Sequence, residues 1–519
     1  MKKLAVLLYG ARAGTVTQMP AGTLVFNYDA QWIEKGPGIP LSLSMPMTTA
    51  IFPDLIISNF LWGLLPENEK IINEIARMGE PTSPRNVLGL LAKVGEDCAG
   101  ALQIVPDERI KSLMDDTNVE WLSEKDVGDR IRSVKNMNAM APSSIVWKHG
   151  RFSLAGAQAK FALTQHVETG IFGQATGSVP TTHIFKPPIP GLTGQVENEH
   201  FCLSLASLLG LPSSASKVQI FDGEPVIVVK RYDRFTDKNG DIRRVHQEDM
   251  CQALGISPFQ KYQSDKGPSA KQIVNTVLAA SNQPEIDTSV FTRALMLNFL
   301  ICGTDAHAKN YSILFGKYGK HRLAPLYDIN SFLPYESDDR SKLAMSIGGH
   351  YEVNRIMPRH WEKFAGEINV PYGQIESDLM NMVKALPDLA VQVAASCRTD
   401  GLKHEIFDTL INRISTRCKK SHLRFSSIRE IKGRRDAVGD AGLARHLRQV
   451  EQQIVVIQHV RHIGPFQNGL AGELGSVVGD DAGGLPTGLQ LGGEFKAHEA
   501  GTWKLEGEYG GPYPLTQEP

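Results

Sequence analysis

Asp305 and Asn310 are the residues whose types and spacing most directly suggest a reaction. They lie in the segment GTDAHAKN at positions 303–310, directly after the apolar run at positions 294–301. In phosphoryl-transfer enzymes, an Asp and an Asn at this spacing accept the proton of the attacked hydroxyl and hold a magnesium ion, respectively. The apolar run predicts a buried helix, with Gly303 placed to end it. Alternatively, both polar residues simply cap turns at the helix end.

The segment that follows Asn310 offers a second metal ligand. Residues 311–315 alternate like a strand, residues 316–319 can turn, and residues 322–326 can return antiparallel. Such a hairpin brings Asp328 beside Asn310, and Mg²⁺ prefers these carboxylate and amide oxygens, together with water and nucleotide phosphates. Asp328 could equally be an ordinary loop residue. We expect His307 to orient its neighbours by hydrogen bonds, because no second His lies at metal-binding spacing.

A phosphate-binding loop and a lysine are the other parts that this reaction needs. The segment FSLAGAQAK at positions 152–160 has small side chains, which let backbone N–H groups approach anionic oxygens, although it is not a Walker A sequence. Lys186 ends a predicted strand, where an apolar setting demands a carboxylate or phosphate partner. Glu197 shares a face with the apolar residues of the next helix and is the predicted partner, whereas Glu199 points nearly opposite. The alternative is a solvent-facing edge lysine.

The chain passes from its β-rich half to its helix-rich half just after residues 226–229. That segment is a run of β-branched residues, typical of a buried strand, and it leads into KRYDR at positions 230–234. An adenine ring could dock on the backbone of this crossover. A plain linker with charged residues explains the same pattern.

The composition describes an ordinary globular protein. The 519 residues are 42% apolar and 21% charged, and 55 Lys and Arg balance 56 Asp and Glu, which excludes a collagen-like chain and disfavours a globally basic nucleic-acid binder. Six scattered cysteines predict neither a disulfide framework nor a zinc ribbon, and they favour a reducing cytoplasm. No apolar stretch is long enough to span a membrane. The N-terminal apolar stretch imitates a signal peptide, but we interpret it as a first strand entering a turn at Gly10 and Gly14.

The element pattern predicts a bilobal α+β fold, with a cleft between a β-rich half and a helix-rich half. One helix, at 196–209, interrupts the strands, and helical periodicity dominates from residue 246 to about 424, interrupted by a single hairpin at 311–328. The predicted regions are a β-rich N-terminal module (1–105), a helical connector (106–143), an upper lobe (144–235), a helical lower lobe (236–425) and a tail (426–519).

The last hundred residues differ in composition from the rest. Residues 413–448 contain 11 Lys and Arg against 3 acidic residues, and 14 of the 56 residues from 464 to 519 are Gly. The basic part is interpreted as a solvated helix face, or alternatively as a DNA contact. The whole tail, residues 426–519, is predicted to be poorly ordered.

Taken together, these segments resemble the HipA family of bacterial serine/threonine protein kinases, the toxin halves of toxin–antitoxin pairs. The resemblance covers about residues 4–425, and the tail has no counterpart in the family pattern. The segments that carry it are PLSLS (40–44), LLPE (64–67), GEDCAGAL (95–102), SLAGAQAK (153–160), HIFK (183–186), VENE (196–199), KRYDR (230–234), HQEDMCQ (246–252), GTDAHAKN (303–310) and APLYD (324–328).

The resemblance implies phosphorylation of a protein hydroxyl by ATP with Mg²⁺, in a protein-kinase-like fold. Asp305 would be the catalytic base, Asn310 and Asp328 the metal ligands, and Ser153 an inhibitory autophosphorylation site. Residues 155–160, here called the phosphate loop, would hold the phosphates together with Lys186. The residues implied to contact ATP are Ala155, Gly156, Ala157, Gln158, Ala159, Lys160, Lys186, Lys230, Arg231, Tyr232, His307, Ala308, Lys309, Asn310 and Tyr327.

The resemblance also implies partners and a physiological role. A HipB-like helix-turn-helix antitoxin would bind the chain and bring it to operator DNA, and the protein substrate would be an aminoacyl-tRNA synthetase, so that growth stops. Two alternatives stay open: a small-molecule kinase of the same fold, and a non-catalytic corepressor that acts through a DNA-binding antitoxin. The N-terminal module disfavours the first, and the presence of Asp305, Asn310, Asp328 and Lys186 disfavours the second.

Overall fold

The computed structural model describes residues 2–47, 51–137, 154–336 and 341–437. The chain divides into two compact units, Met1–Phe425 and Ser426–Pro519. Within the described ranges, no helix is both long and apolar enough to cross a membrane. The predicted modification site Ser153 and the Gly-rich segment 464–519 lie outside these ranges.

The N-terminal module is built on a five-stranded antiparallel sheet with the strand order β4-β3-β2-β1-β5. Its strands are β1 (Lys2–Leu8), β2 (Ala11–Gln18), β3 (Leu24–Tyr28), β4 (Ile51–Phe52) and β5 (Leu102–Val105). Its helices are α1 (Ala30–Lys35), α2 (Asp54–Leu64), α3 (Glu69–Arg77) and α4 (Val87–Val94). The N-terminal apolar stretch is therefore a strand, as predicted.

Gly14 does not belong to the first turn, contrary to our prediction. It lies inside β2, where a Cβ atom would come within 2.4 Å of the carbonyl oxygen of Asn27 on β3. The turn is made by Tyr9 and Gly10, both of which have positive φ. The glycine signal at position 14 reflects close packing inside a sheet rather than a change of chain direction.

The upper lobe holds a six-stranded sheet with the order β10-β11-β9-β7-β8-β6. Its strands are β6 (Asn118–Trp121), β7 (Phe161–Gln165), β8 (Phe172–Thr176), β9 (His183–Lys186), β10 (Ser216–Phe221) and β11 (Glu224–Lys230), and the accompanying helices are α5 (Arg109–Asp115), α6 (Glu124–Met137) and α7 (Gln195–Leu208). Strand β6 comes from the segment predicted as a helical connector, so that segment completes the edge of this sheet. One hydrophobic core joins this sheet to the N-terminal module, with Leu4 and Phe26 in the same cluster as Phe161 and Phe185.

The lower lobe is mostly helical but contains more strands than the periodicity indicated. Its helices are α8 (Met250–Ala253), α9 (Ala270–Gln272), α10 (Pro284–Ile301), α11 (Pro358–Glu367), α12 (Tyr372–Thr399) and α13 (Ile406–Ala437). Its strands are β12 (Arg234–Thr236), β13 (Ile242–Arg244), β14 (Gln247–Asp249), β15 (Ser312–Phe315), β16 (His321–Leu323), β17 (Lys342–Ile347) and β18 (His350–Glu352). The predicted hairpin is present as β15 and β16, but β14 pairs with its other side and β17 with β18 forms a second hairpin. The α+β, kinase-like architecture is confirmed.

The end of α10 differs in detail from the prediction. Cys302, not Gly303, takes the left-handed backbone conformation that ends the helix, with φ of 51°. Gly303 donates its N–H to the carbonyl oxygen of Asn298 at 2.8 Å, and a Cβ at Gly303 would lie 2.1 Å from Oδ1 of Asn298. A glycine is therefore needed here because of close contact rather than its φ.

The first basic residues of the C-terminal segment are used inside the lower lobe. Arg413 donates to the backbone oxygens of Leu333 and Glu336, and buried Arg417 donates from Nε to the oxygen of Phe299 at 2.8 Å. The buried Arg417 is therefore not part of a solvated face or a DNA contact, whereas Arg413 stays exposed while it bonds to the lower lobe. Helix α13 continues to Ala437, so the prediction of a poorly ordered tail is wrong for residues 426–437, and the rest of the tail lies outside the described ranges.

Candidate active site

The residues predicted to carry phosphoryl transfer surround one cavity between the two lobes. Lys186 reaches it from the end of β9, Asp305 and Asn310 from the loop after α10, and Asp328 from the segment after β16. Most of the phosphate loop lines the same cavity. Lys186 and Asp328, which are 142 positions apart in the sequence, are thus brought around a common space.

Lys186 is held by two carboxylates. Its Nζ donates to Glu199 Oε1 at 2.7 Å and to Asp328 Oδ1 at 2.9 Å. Burial would lower the pKa of Lys186, but the two carboxylates outweigh it and raise the pKa above its usual range. Burial would likewise raise the pKa of Asp328, yet Lys186 holds that pKa below its usual range. Both groups are therefore ionised in the cavity.

The partner of Lys186 on the helix is Glu199, and the prediction of Glu197 was wrong. Helix α7 is buried on almost every side, and the Glu199 side chain is fully buried while Glu197 is partly exposed. The prediction assumed one apolar face, and on a helix enclosed by protein the apolar face does not identify the side that faces the cleft.

Asp305 presents a half-exposed carboxylate to the cavity. Its side chain is 53% exposed, its Oδ1 accepts a hydrogen bond from the Tyr262 hydroxyl, and the partly buried position raises its pKa. The amide nitrogen of Asn310 donates to the backbone oxygen of Asp305 at 2.8 Å, which closes the catalytic loop, residues 305–310. The carboxylate is therefore accessible to a hydroxyl while its backbone is held.

His307 is placed to orient rather than to titrate near neutral pH. Its Nε2 is 3.9 Å from Asp305 Oδ1, and its ring meets the Tyr262 ring edge-on at 5.1 Å. Burial lowers the pKa of His307 to about 3, so the imidazole is neutral over the physiological range.

Asn310 and Asp328 suit a hard divalent cation. Because the Asn310 amide nitrogen bonds to Asp305, its Oδ1 is the atom that can face a ligand. Asp328 has a φ of 57°, a left-handed backbone conformation that is uncommon for non-glycine residues and that Asp tolerates better than most. One carboxylate and one amide oxygen fit Mg²⁺, which commonly takes its other ligands from water and phosphates.

The phosphate loop is closed by its own lysine. Lys160 Nζ donates to the oxygen of Ala155 at 2.8 Å, and burial followed by the charge of Lys186 lowers the pKa of Lys160 to about 8. Gly156 has a φ of 111°, and a Cβ there would lie 2.6 Å from Lys160 Nζ. Of the predicted loop residues, only Ala159 is absent from the cavity lining, because its side chain packs into the core.

The predicted adenine hinge, Lys230, Arg231 and Tyr232, also lines the cavity. The Arg231 guanidinium, however, is almost fully buried and bonds to Asp233 at 2.8 Å and to Thr181 Oγ1 at 2.9 Å. Its side chain is therefore occupied by protein partners. The prediction that an adenine docks on the backbone of this crossover does not involve that side chain, and it stays a prediction.

Asp97 of the N-terminal module balances three arginines behind this hinge. Its carboxylate lies 3.4 Å from Arg231, 2.9 Å from Arg234 and 3.1 Å from Arg244. Burial would raise the pKa of Asp97, but Arg234 and its two neighbours outweigh it and keep the carboxylate ionised. The hinge is thus anchored to the N-terminal module by buried charges.

Tyr232 and Tyr327 form an aromatic wall of the cavity. Their rings stack at 5.4 Å with an interplanar angle of 30°. The hydroxyl of Tyr327 is hydrogen-bonded to Ser312 Oγ at 2.6 Å and donates to the oxygen of Lys309 at 2.7 Å. Ala308, predicted to contact ATP, is fully buried and does not line the cavity.

Glu67 and Tyr262 were missed by the sequence reasoning. Glu67 comes from the N-terminal module, lines the cavity and pairs with Lys261 and Lys309. A signal for it existed, since Glu67 belongs to the LLPE segment of the N-terminal module. Tyr262 lies 43 positions from Asp305, and no pattern in the sequence connects the two.

Comparisons with known proteins find similar sequences over most of the chain. Residues 4–105 match the model of the HipA N-terminal domain, and residues 152–390 match that of the HipA-like C-terminal domain. A putative kinase, Y4mE, of Sinorhizobium fredii is 33% identical over 390 residues, covering 74% of this chain and 90% of that protein. The serine/threonine-protein kinase toxin HipA of Shewanella oneidensis is 29% identical over 385 residues, which cover 72% of this chain and 84% of that protein.

A solved structure is similar over its whole length. The Shewanella oneidensis HipA chain, solved with HipB and operator DNA, matches with a TM-score of 0.69 at 26% identity. The match covers 82% of this chain and 99% of that one. The similarity therefore includes both the N-terminal module and the two lobes around the cavity.

Proposed function

This chain belongs to the HipA family, and we propose that it is a serine/threonine protein kinase that transfers the γ-phosphate of ATP to a protein hydroxyl. The observation that carries the proposal is the meeting of Lys186, Asp305, Asn310 and Asp328 around one cavity. Lys186 is paired with two carboxylates, and the Asp305 side chain is half exposed to the cavity, which supports these roles. The kinase names of its relatives support the same conclusion.

The chain's own residues would work mainly by positioning and electrostatics. The half-exposed carboxylate of Asp305 would accept the proton of the attacking hydroxyl. Lys186, kept charged by its carboxylates, would contact the phosphates, assisted by the backbone of the phosphate loop. Asn310 and Asp328 would hold Mg²⁺, which offsets the phosphate charge when bound.

Autophosphorylation of Ser153 would switch the enzyme off. Ser153 directly precedes Leu154 and Ala155, which line the cavity. A phosphate there adds about −1.5 to −2 charges. That charge would repel the phosphates of ATP or displace the phosphate loop, and either effect lowers the transfer rate.

We further propose a toxin role that depends on partners. The complex of Shewanella oneidensis HipA with HipB and operator DNA supports a helix-turn-helix antitoxin, and operator contact mainly through it, for this chain as well. An aminoacyl-tRNA synthetase is the proposed target, and its phosphorylation would stall translation and arrest growth. The six cysteines are all buried free thiols, which supports action in the cytoplasm.

Mass spectrometry of the intact protein tests the kinase assignment. Dephosphorylated chain incubated with ATP and Mg²⁺ should gain phosphate, and peptide mapping should place it on Ser153. The matched variant Asp305→Asn should gain none while retaining its fold by circular dichroism. A wild-type chain that never gains phosphate contradicts the assignment.

Two assays separate the alternative functions. A small-molecule kinase would transfer labelled phosphate to a metabolite in a cell extract, whereas we expect the label on a protein. A non-catalytic corepressor would keep both growth inhibition and operator repression after Asp305→Asn. We expect that variant to lose growth inhibition while repression persists.

A further inference from the structure

Glu67 belongs to the N-terminal module and lines the cavity between the two lobes. It lies in the turn between α2 and α3, directly before Asn68, whose side chain caps α3 by accepting from the N–H groups of Lys70 and Ile71. The cap fixes where the helix begins. Glu67 lines the cavity alongside residues of both lobes.

The Glu67 side chain neutralises two lysines of the lower lobe. Its Oε2 accepts from Lys261 Nζ at 2.6 Å, and its Oε1 lies 3.0 Å from Lys309 Nζ. Burial alone would raise the pKa of Glu67, but the two ammonium groups outweigh it and lower the pKa to about 2. The Lys309 side chain is only 4% exposed, and a buried cation of this kind is costly without a partner.

The Glu67 backbone contacts the phosphate loop of the upper lobe. Its N–H donates to the oxygen of Gly156 at 3.0 Å, and Pro66 forms a parallel bridge with Gly156. A single residue therefore contacts the phosphate loop through its backbone and the lower lobe through its carboxylate.

Both lysines are coupled to the catalytic loop. Lys309 is itself a loop residue and directly precedes Asn310. The oxygen of Lys261 accepts the N–H of Ala308 at 3.3 Å. The Lys261 ammonium also lies 5.5 Å from the ring centre of Tyr262, the residue that donates to the carboxylate of Asp305.

We propose that Glu67 is a positioning residue for phosphoryl transfer, through which the N-terminal module fixes the catalytic loop against the phosphate loop. The inference rests on the proposed kinase function and adds a role for the N-terminal module within it. The carboxylate acts on the catalytic loop through Lys309 and Lys261. The backbone bond to Gly156 is independent of the side chain, so the two contacts can be separated by substitution.

Glu67→Gln removes the charge at nearly constant shape, and Glu69→Gln on the exposed start of α3 is the matched control. The assay is transfer from ATP with Mg²⁺ to an Asp305→Asn chain that serves only as acceptor. We expect the rate at saturating ATP to fall at least about tenfold in Glu67→Gln, because small displacements of catalytic groups are costly. The dissociation constant for ATP should change less than about twofold, because the Gly156 contact remains. Glu67→Asp should retain more rate than Glu67→Gln.

A combined variant distinguishes positioning from general destabilisation. If Glu67 acts through Lys309 and Lys261, then adding Glu67→Gln to a chain that already carries Lys309→Met and Lys261→Met should lower the rate little further. Rates are compared at a temperature where circular dichroism shows every variant folded. A Glu67→Gln chain as fast as wild type, or a Glu67→Gln loss that is undiminished when both lysines are already replaced, would overturn the inference. A wild-type chain without transfer would instead overturn the kinase assignment.

Discussion

Replacing Lys186 by Met should destabilise the protein far more than replacing its partner Glu199 by Gln. Lys186 and Glu199 are 2.7 Å apart and almost fully buried, so Lys186→Met leaves a buried carboxylate with no counter-charge. Losing one member of a buried pair costs about 3–5 kcal/mol. Glu199→Gln is milder, because Lys186 keeps Asp328 at 2.9 Å. The double variant should recover most of the lost stability, since no unpaired charge remains on the helix.

The pH dependence gives this prediction a second signature. Burial raises the pKa of Glu199 already in wild type, although the charge of Lys186 opposes it. Lys186→Met removes that opposing charge, so the pKa of Glu199 should rise further and the folded variant should bind a proton more readily than folded wild type. Stability relative to wild type should therefore recover as the pH falls and decline as the pH rises through the folded pKa. In wild type, the pKa of Lys186 is higher in the folded chain than in the unfolded chain, and this difference stabilises the fold. The stabilisation is complete at pH values below the pKa of the unfolded chain. It is lost as the pH rises through the pKa of the folded chain.

Urea and thermal unfolding of the full chain measure these differences. Lys217→Met, at an exposed position of β10, is the control for removing a lysine without removing a buried pair, and it should be close to wild type. The reasoning is refuted if Lys186→Met is no less stable than Glu199→Gln, or if its deficit is unchanged by acidification. Activity should be lost in Lys186→Met in every case, so stability and transfer are reported separately.

Three further substitutions test the surroundings of the cavity. Tyr262→Phe removes the hydroxyl that bonds to the Asp305 carboxylate, so the pKa of Asp305 should rise and the acidic limb of the pH–rate profile should move to higher pH. Asp97→Asn removes a carboxylate shared by three buried arginines, while Asp233 still pairs with Arg231 and Arg234, so the unfolding free energy should fall by about 1–3 kcal/mol in urea. Gly303→Ala places a Cβ 2.1 Å from Asn298 Oδ1 and should cost about 1–3 kcal/mol of stability by the same measurement.

Each of these substitutions has a matched control. Tyr318→Phe removes the hydroxyl of a residue that is 80% exposed and should leave the pH–rate profile in place. Asp241→Asn breaks only an exposed ion pair, and Gly373→Ala adds a Cβ where nothing lies within 4 Å, so neither should destabilise the chain. An unshifted acidic limb in Tyr262→Phe contradicts the first prediction. A loss of unfolding free energy in Asp97→Asn or Gly303→Ala that is no larger than that of its control contradicts the other two.

Local sequence patterns were sufficient for the parts of the site that lie close together along the chain. The apolar helix before Asp305, the five-residue step to Asn310 and the hairpin that returns to Asp328 follow from short-range periodicity and turn chemistry. The strand that ends at Lys186 and its need for an acidic partner are readable in the same way. These features depend on backbone geometry within a few tens of residues, and that geometry is encoded locally.

Packing between distant segments decided the rest. Glu199 rather than Glu197 faces Lys186 because α7 is enclosed by protein on nearly all sides, which no amphipathic pattern describes. The Arg231 side chain is bound by Asp233, Thr181 and Asp97, and Glu67 and Tyr262 reach the catalytic loop from segments tens to hundreds of positions away. The sequence determined which charges exist and which of them are too costly to bury alone. Only the tertiary structure determined how those charges pair, because pairing depends on which surfaces meet when the N-terminal module packs against the two lobes.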